Sequence, residues 1–175
     1  YTRKSIGEIC YPGIGRPSGG NWDTGYTSLK SPHEDHLLVF INIGFGGRLG
    51  YDFPNKYDDE NKLITWYGKK NTNSNQPLIK KIIGKEITPH FFARWDDSPE
   101  FIYLGIGNVI GYEDDVTIPG GDKTIEFKLH VDDVDDIFSG TPIKQSVVTN
   151  EDKINSRDIK NIKSSFVLEK YLEEH

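Results

Sequence analysis

The sequence predicts a mainly β (α+β) fold, a β-barrel or sandwich with a few short helices and a C-terminal helix. Short apolar and aromatic runs of strand length recur through the first 131 residues. Clusters of Gly, Pro, Asn and Asp separate these runs, and such residues favour turns. The 18 glycines suit the bulges and corners of a strongly bent sheet.

Five segments have the composition of strands. They are residues 37–43, 63–67, 90–95, 101–106 and 124–131. The first is a compact apolar run, and the last alternates apolar and polar residues, so that its apolar side chains share one buried face. Several short strands at this spacing are typical of a barrel or a sandwich.

Helical signals are fewer. Residues 2–9 are expected to form a short helix with Thr2 as its N-cap, and residues 78–83 follow a proline that suits a helix start. Apolar residues recur near helical spacing from residue 152 to residue 175.

These elements predict a domain organisation in three parts. A β-barrel occupies residues 1–131, an acidic linker residues 132–151, and the helical start of a following domain, a nuclease, residues 152–175. A chain of 175 residues accommodates one such domain with a tail. Because the sequence has no methionine and begins at Tyr1, we expect it to be a piece of a larger protein.

The formal charge of −6 argues against a nucleic-acid partner only until it is divided along the chain. Residues 1–112 carry 13 basic and 12 acidic side chains, whereas residues 113–175 carry 8 and 15. The window from residue 61 to residue 95 is the most basic, with seven Lys or Arg against the single acid Glu86. The acidity therefore belongs to the C-terminal third, and a DNA partner stays compatible with the charge.

Several classes of protein are excluded by composition. The single Cys10 rules out a disulfide framework and a multi-cysteine zinc site, and we expect it to be a small buried residue. No apolar run reaches about 18 residues, which excludes a transmembrane helix. The histidines of His33-Glu34-Asp35-His36 lack a third metal ligand, so we expect a solvated turn.

A glycine-rich, aromatic region is the first candidate site. Residues 44–52 combine glycines with aromatics, and residues 64–70 bring two aromatic residues before Lys69 and Lys70. One interpretation is a barrel corner with packed aromatics. The other is a concave site in which backbone amides approach a ligand, aromatics stack on a base, and the two lysines contact phosphates. No Gly-Lys-Ser/Thr follows the glycines, so this is not a Walker loop.

The order of these motifs resembles that of a known family. The segments that carry the resemblance are residues 1–6, 13–20, 38–41, 46–52, 64–68 and 101–105. Together they resemble the SRA-like reader modules of modification-dependent restriction systems, both those of McrA-type nucleases and those of restriction helicases. The resemblance covers about residues 1–131, and it implies an SRA/PUA-like curved β-barrel that binds duplex DNA.

The resemblance also implies which residues contact DNA. Tyr51, Asp52, Trp66 and Tyr67 would lie in or near a recognition pocket, where aromatic stacking and a carboxylate hold a base. Basic and small residues near the N-terminus would approach the duplex from the other side. The full set of candidates is Arg3, Lys4, Arg16, Ser18, Gly19, Arg48, Tyr51, Asp52, Trp66, Tyr67, Lys69, Lys70 and Thr72.

The biological context follows from the same resemblance. It implies the recognition domain of a prokaryotic, cytoplasmic restriction endonuclease, with double-stranded DNA as partner, no membrane, and homo-oligomerisation through a following domain. The chain itself needs no cofactor, whereas Mg²⁺ would serve the parent nuclease. The family's Tyr-Thr-Gly-Glu-Gly is replaced here by residues 66–70, Trp-Tyr-Gly-Lys-Lys. The target is therefore open among 5-methylcytosine, hydroxymethylcytosine, phosphorothioate and a specific unmodified sequence.

Two other functions remain as alternatives. Asp122, Glu126 and Lys128 have the residue types of a metal-dependent nuclease, in which acids bind Mg²⁺ and a lysine lies beside the attacking water. An ordinary amphipathic strand explains the same pattern. A β-sandwich that binds carbohydrate or protein, with exposed tryptophans as platforms, is the second alternative.

Overall fold

The structure of the chain is a computed structural model that describes residues 1–16, 20–47 and 52–132. It contains two short α-helices, a 3-10 helix at Gly20–Asp23 and seven strands. The helices are α1 (Arg3–Cys10) and α2 (Pro77–Ile83). The strands are β1 (Tyr26–Ser28), β2 (His36–Asn42), β3 (Lys56–Asp58), β4 (Leu63–Tyr67), β5 (Thr88–Arg94), β6 (Ile102–Thr117) and β7 (Lys123–Val131).

All seven strands belong to one mixed sheet, in the order β1-β2-β5-β6-β7-β4-β3. The pair β2 and β5 is parallel, and every other neighbouring pair is antiparallel. The long strand β6 pairs first with β5 and then with β7, so it joins the two halves of the sheet. The mainly β fold class with short helices is confirmed.

The sheet separates two hydrophobic cores, and β2 contributes to both. Leu37, Val39 and Ile41 point into the inner core, together with apolar side chains of α2, β4, β5 and β7. Leu38 and Phe40 point into the outer core, beneath α1. Six consecutive residues of β2 are buried, which explains why this strand reads as an uninterrupted apolar run.

The sheet curls until its two ends meet. Tyr26 of β1 contacts Trp66 of β4 edge to face, with ring centroids 5.4 Å apart. Close approach across the sheet interior also requires a glycine in β6, since a Cβ on Gly107 would lie 2.4 Å from Cε2 of Phe91. The result is a curved sheet. In the described part of the chain, side-chain contacts close it between β1 and β4, without backbone pairing of these two strands.

Both helices predicted within residues 1–131 are present. Thr2 caps α1: its side chain accepts from the backbone N–H of Ser5, and the Ser5 hydroxyl accepts from the backbone N–H of Thr2. Pro77 occupies the first turn of α2. Neither helix has the length and hydrophobicity needed to cross a bilayer, among the residues that the structure describes. The linker beyond Asp132 and the C-terminal helix lie outside the described residues.

Three other expectations meet their outcome here. Cys10 is 1% exposed, as predicted, and burial raises the pKa of its thiol to about 12. The strands β1 and β3 are absent from the sequence prediction, and β6 continues eleven residues beyond the predicted end at residue 106. The prediction of a solvated turn at residues 33–36 is wrong for His36, because this residue begins β2 and is 2% exposed.

His36 belongs to a buried hydrogen-bonded chain of three side chains. His36 Nδ1 lies 3.0 Å from His90 Nε2, and His90 Nδ1 lies 2.9 Å from the Tyr103 hydroxyl. We assign the protons so that Tyr103 donates to His90, His90 donates to His36, and His36 Nε2–H faces Asp35 Oδ1 at 3.6 Å. Burial, with a smaller contribution from His36, lowers the pKa of His90 to about 3.

This lowered pKa predicts acid sensitivity. The unfolded chain binds a proton on His90 below its ordinary pKa of 6.5, whereas the folded chain resists protonation down to about 3. The contribution to the free energy of unfolding is therefore complete above pH 6.5 and decreases as the pH falls, by at most about 1.4 kcal/mol per pH unit. Urea unfolding at pH 7, 6 and 5 measures this slope.

A free energy of unfolding that is constant from pH 7 to pH 5 would contradict a neutral, buried His90.

Candidate nucleic-acid interface

One end of the curved sheet gathers the predicted binding segments. β2 and β5 both end there and β3 begins there, so residues 42–45, 55–57 and 94–98 lie together; we call this end the rim. Asn55 links the ends of β4 and β2. Its Oδ1 accepts from the Tyr67 backbone N–H at 3.1 Å, and its side-chain amide donates to the Asn42 carbonyl at 3.5 Å. Arg94 Nε donates to Asn42 Oδ1 at 2.8 Å.

Below the rim, Lys69 closes the gap between β4 and β1. Its ammonium group lies 4.4 Å from the centre of the Tyr26 ring and donates to the Tyr26 carbonyl at 3.4 Å. Burial lowers the pKa of Lys69 and raises that of the Tyr26 hydroxyl, which also bonds to Thr72. Lys69 and the 5%-exposed Thr72 thus hold the barrel closed, a role that differs from the predicted contact with DNA.

Trp66 also differs from the expectation of a ligand-stacking side chain. It is 2% exposed, and its ring stacks on Phe127 at 5.0 Å and meets the edges of Tyr26 and Phe91. The reason is strand geometry: Ile64 and Trp66 share the inward face of β4, whereas Thr65 and Tyr67 lie on the outward face. In this arrangement Trp66 is a core residue.

Arg3 is likewise engaged within the protein. Its guanidinium lies 4.0 Å from the centre of the Phe40 ring and donates to the backbone carbonyls of Trp22 and Thr24. Burial lowers its pKa to about 10, partly opposed by Asp23. These contacts fix α1 to the sheet, so the guanidinium of Arg3 is engaged inside the protein.

The remaining described basic candidates differ in whether they are paired. Lys4 is exposed on α1. Arg16 pairs with Asp23 at 2.8 Å, and Lys70 forms an ion pair with Asp122. The remaining candidates Ser18, Gly19, Arg48 and Tyr51 lie outside the described residues. Asp52 is described and exposed, on the loop that leads into β3.

Tyr67 is bound on the outward face of the sheet. Its hydroxyl donates to Glu126 Oε2 at 2.5 Å, and Lys128 lies 3.0 Å from Glu126 Oε1. Burial and the adjacent carboxylate raise the pKa of Tyr67. Burial also raises the pKa of the Glu126 carboxyl, but the hydrogen bonds from Tyr67 and Lys128 outweigh burial and leave this pKa lowered, so the carboxylate is ionised.

The alternative nuclease site is not assembled. Asp122 and Glu126 are four residues apart, which along a strand corresponds to about 13 Å, too far for two carboxylates to share one metal ion. Lys70 engages Asp122, and Tyr67 with Lys128 engages Glu126. Within the described residues, no group of three or more His, Cys, Asp or Glu side chains is placed to hold a metal ion.

Two features lie outside the individual candidate residues, although the lysines among them belong to the basic window of residues 61–95. Lys80, Lys81 and Lys85 are exposed on and just after α2, and none of them forms an ion pair within the described part of the chain. Trp95, which follows β5 at the rim, is 39% exposed, whereas Trp22 and Trp66 are 5% and 2% exposed. The helical period of residues 77–83 identifies the lysines as surface residues, but no sequence pattern separates Trp95 from the other tryptophans.

Comparison with known proteins adds structural likenesses only. Neither a protein-family model nor a curated protein sequence matches the chain. Several solved SRA-domain structures resemble it. The SUVH5 SRA domain with methylated CHH DNA has 19% identity over 71% of this chain and 81% of that chain, with a TM-score of 0.44. The same domain with hemimethylated CG DNA has 17% identity over 75% and 83%, with a TM-score of 0.45.

A third structure is SUVH6 of Arabidopsis thaliana in complex with SAM, with 18% identity and a TM-score of 0.44. The match covers 71% of this chain and 23% of SUVH6. All three identities are below 25% and all three TM-scores are below 0.5.

The position of Trp66 predicts a stability effect. Trp66→Ala should lower the free energy of unfolding by about 3–5 kcal/mol, because it removes a ring that is packed against three other aromatics. Trp95→Ala is the matched control and should cost about 1 kcal/mol or less, since Trp95 is exposed. Chemical denaturation of both variants provides the comparison. An unchanged free energy of unfolding for Trp66→Ala would contradict the core role of Trp66 and would again favour a contact with ligand.

Proposed function

We propose that this chain is the DNA-recognition domain of a prokaryotic, cytoplasmic restriction endonuclease. It binds double-stranded DNA and reads a modified base, a modified backbone or a specific duplex sequence. The order of sequence motifs that resembles SRA-like readers supports this function. The mainly β architecture, with a sheet that curls on itself, is the kind of fold that this resemblance implies.

The observation that carries the proposal is the exposed basic surface of α2. Ile79 and Ile82 anchor the helix in the inner core, which turns Lys80 and Lys81 toward solvent, and Lys85 follows directly. Four of the seven basic residues between residues 61 and 95 have partners inside the protein, namely Lys62, Lys69, Lys70 and Arg94. The remaining three ammonium groups are therefore the ones positioned to neutralise phosphates.

In this proposal, the residues that contact phosphates and the residues that contact bases lie on different parts of the domain. Ammonium groups on α2 contact phosphates, and such contacts set affinity and register without carrying sequence information. α2 precedes the first residue of β5, whereas the rim lies at the last residue of this strand. At 3.3 Å per residue the strand separates them by about 23 Å, a length that about seven base pairs cover. Side chains at the rim then contact bases, where specificity is determined.

Catalysis is assigned to another part of the parent enzyme. The contacts of Asp122 and Glu126 do not favour cleavage by this domain, so Mg²⁺ would act in a separate nuclease domain, which would also provide any homo-oligomer contact. This division agrees with the ion pairs that Asp122 forms with Lys70 and Glu126 with Lys128.

The lysines of α2 give the first binding prediction. The double variant Lys80→Gln/Lys81→Gln should weaken binding to every duplex about equally. It should also reduce the slope of log K against log salt concentration by about one unit for each lysine, because fewer counterions are released. Fluorescence anisotropy of a labelled duplex at four salt concentrations measures both quantities.

The matched control is Lys62→Gln/Lys128→Gln, which removes the same charge from lysines that pair with Asp59 and Glu126. Its salt slope should stay within half a unit of the original value. Equal slopes for the two double variants would show that α2 does not contact phosphates, although DNA binding by another surface would remain.

A panel of duplexes tests the reader function itself. One short duplex is prepared unmodified, with 5-methylcytosine, with hydroxymethylcytosine and with phosphorothioate, and each is titrated in a gel-shift assay. We expect at least one form to bind tenfold or more tightly than the others, because base contacts discriminate by about 1–3 kcal/mol each. The proposal fails if all four bind no better than polyglutamate.

A further inference from the structure

We infer that Trp95 is a nucleobase-stacking residue and that the rim around it is a subsite for a base. This inference rests on the proposed function and identifies the aromatic side chain that performs the readout. It replaces Trp66, whose ring is enclosed by the core, with the one tryptophan that the described structure leaves accessible.

The exposure of Trp95 leaves ring surface for a ligand. Its indole meets the Tyr57 ring at a centroid distance of 6.4 Å and an interplanar angle of 62°, an edge contact across the rim. Such a contact does not cover both faces of the indole. Base–aromatic stacking needs a face of this kind, and it tolerates every base because each base has a π-face.

The turn that carries Trp95 is held in place by hydrogen bonds on both sides. Arg94 donates to Asn42 Oδ1 at 2.8 Å and to the Ser98 carbonyl at 2.5 Å, and it pairs with Asp97 at 3.6 Å. Asp96 Oδ1 accepts from the Ser98 backbone N–H at 3.1 Å. Trp95 is therefore presented at the end of a strand by a fixed turn, which lowers the entropic cost of binding.

The charge of the rim favours a base over a phosphate. Asp96 and Asp97 are exposed there, while the Arg94 side chain is 15% exposed and already has acceptors. Carboxylates repel phosphate oxygens but accept hydrogen bonds from the exocyclic amines of cytosine and adenine. An aromatic face beside carboxylates is thus matched to a base that has left the duplex stack.

Quenching of tryptophan fluorescence by acrylamide tests this contact directly. Because Trp22 and Trp66 are buried, Trp95 should supply most of the quenchable emission, and Trp95→Phe should remove it. The probes are a 12-base-pair duplex and the same duplex with one mismatched cytosine, with binding followed independently through a label on the DNA. We expect bound DNA to protect Trp95 from acrylamide, and the mismatched duplex to protect it at lower concentration.

Variants then measure the strength of the contact. Trp95→Ala should weaken binding of the mismatched duplex by roughly 5- to 100-fold, whereas Trp95→Phe should restore most of it because a ring remains. The matched control is Tyr112→Ala on β6, an aromatic residue that is 49% exposed and lies away from the rim. It should leave the affinity within twofold.

The outcomes separate this inference from the proposed function. Bound DNA that leaves the quenching of Trp95 unchanged would overturn the stacking role while DNA recognition stands. No binding of either duplex would overturn both. Protection of Trp95 by cellohexaose and not by DNA would assign the rim to a carbohydrate and also overturn the inference.

Discussion

The parallel pairing of β2 with β5 is the constraint on which the rest of the structure depends. Two neighbouring strands that run in the same direction require a long crossover connection, and residues 43–87 provide it. That connection contains β3, which pairs with β4, then β4, which pairs with β7, and α2, which packs in the inner core. One crossover therefore supplies two of the seven strands. It also brings the ends of β2 and β5 to the same place, which creates the rim.

Sequence patterns predict this fold where burial dictates the residue type. β2 is buried on both faces and is apolar from Leu37 to Ile41, and β7 alternates because one face meets solvent. β1 and β3 could not be predicted, since each is a three-residue edge strand whose formation depends on its partner. The length of β6 was also hidden, because its second half contains Gly111 and a bulge at Asp114 and Asp115, beyond which pairing with β7 resumes at Val116.

The sequence indicated which segments form the candidate site, but it indicated less well which individual residues are exposed there. Alternation within β4 already places Ile64 and Trp66 on one face, a signal that favours a core role for the tryptophan. The ion pair between Lys70 and Asp122 joins residues 52 positions apart, and only the packing of β7 beside β4 brings them together. Charge counted along a sequence therefore overestimates the charge that a folded surface presents.

The enclosed thiol of Cys10 has a practical consequence for studies of the molecule in solution. It is the only cysteine in the chain, it is 1% exposed, and its high pKa keeps it protonated near neutrality. Maleimide and iodoacetamide dyes react with solvent-accessible thiolates, so we expect Cys10 of the folded protein not to react with them. A cysteine introduced on either side of the sheet would thus carry a single fluorophore or spin label without removal of the native one.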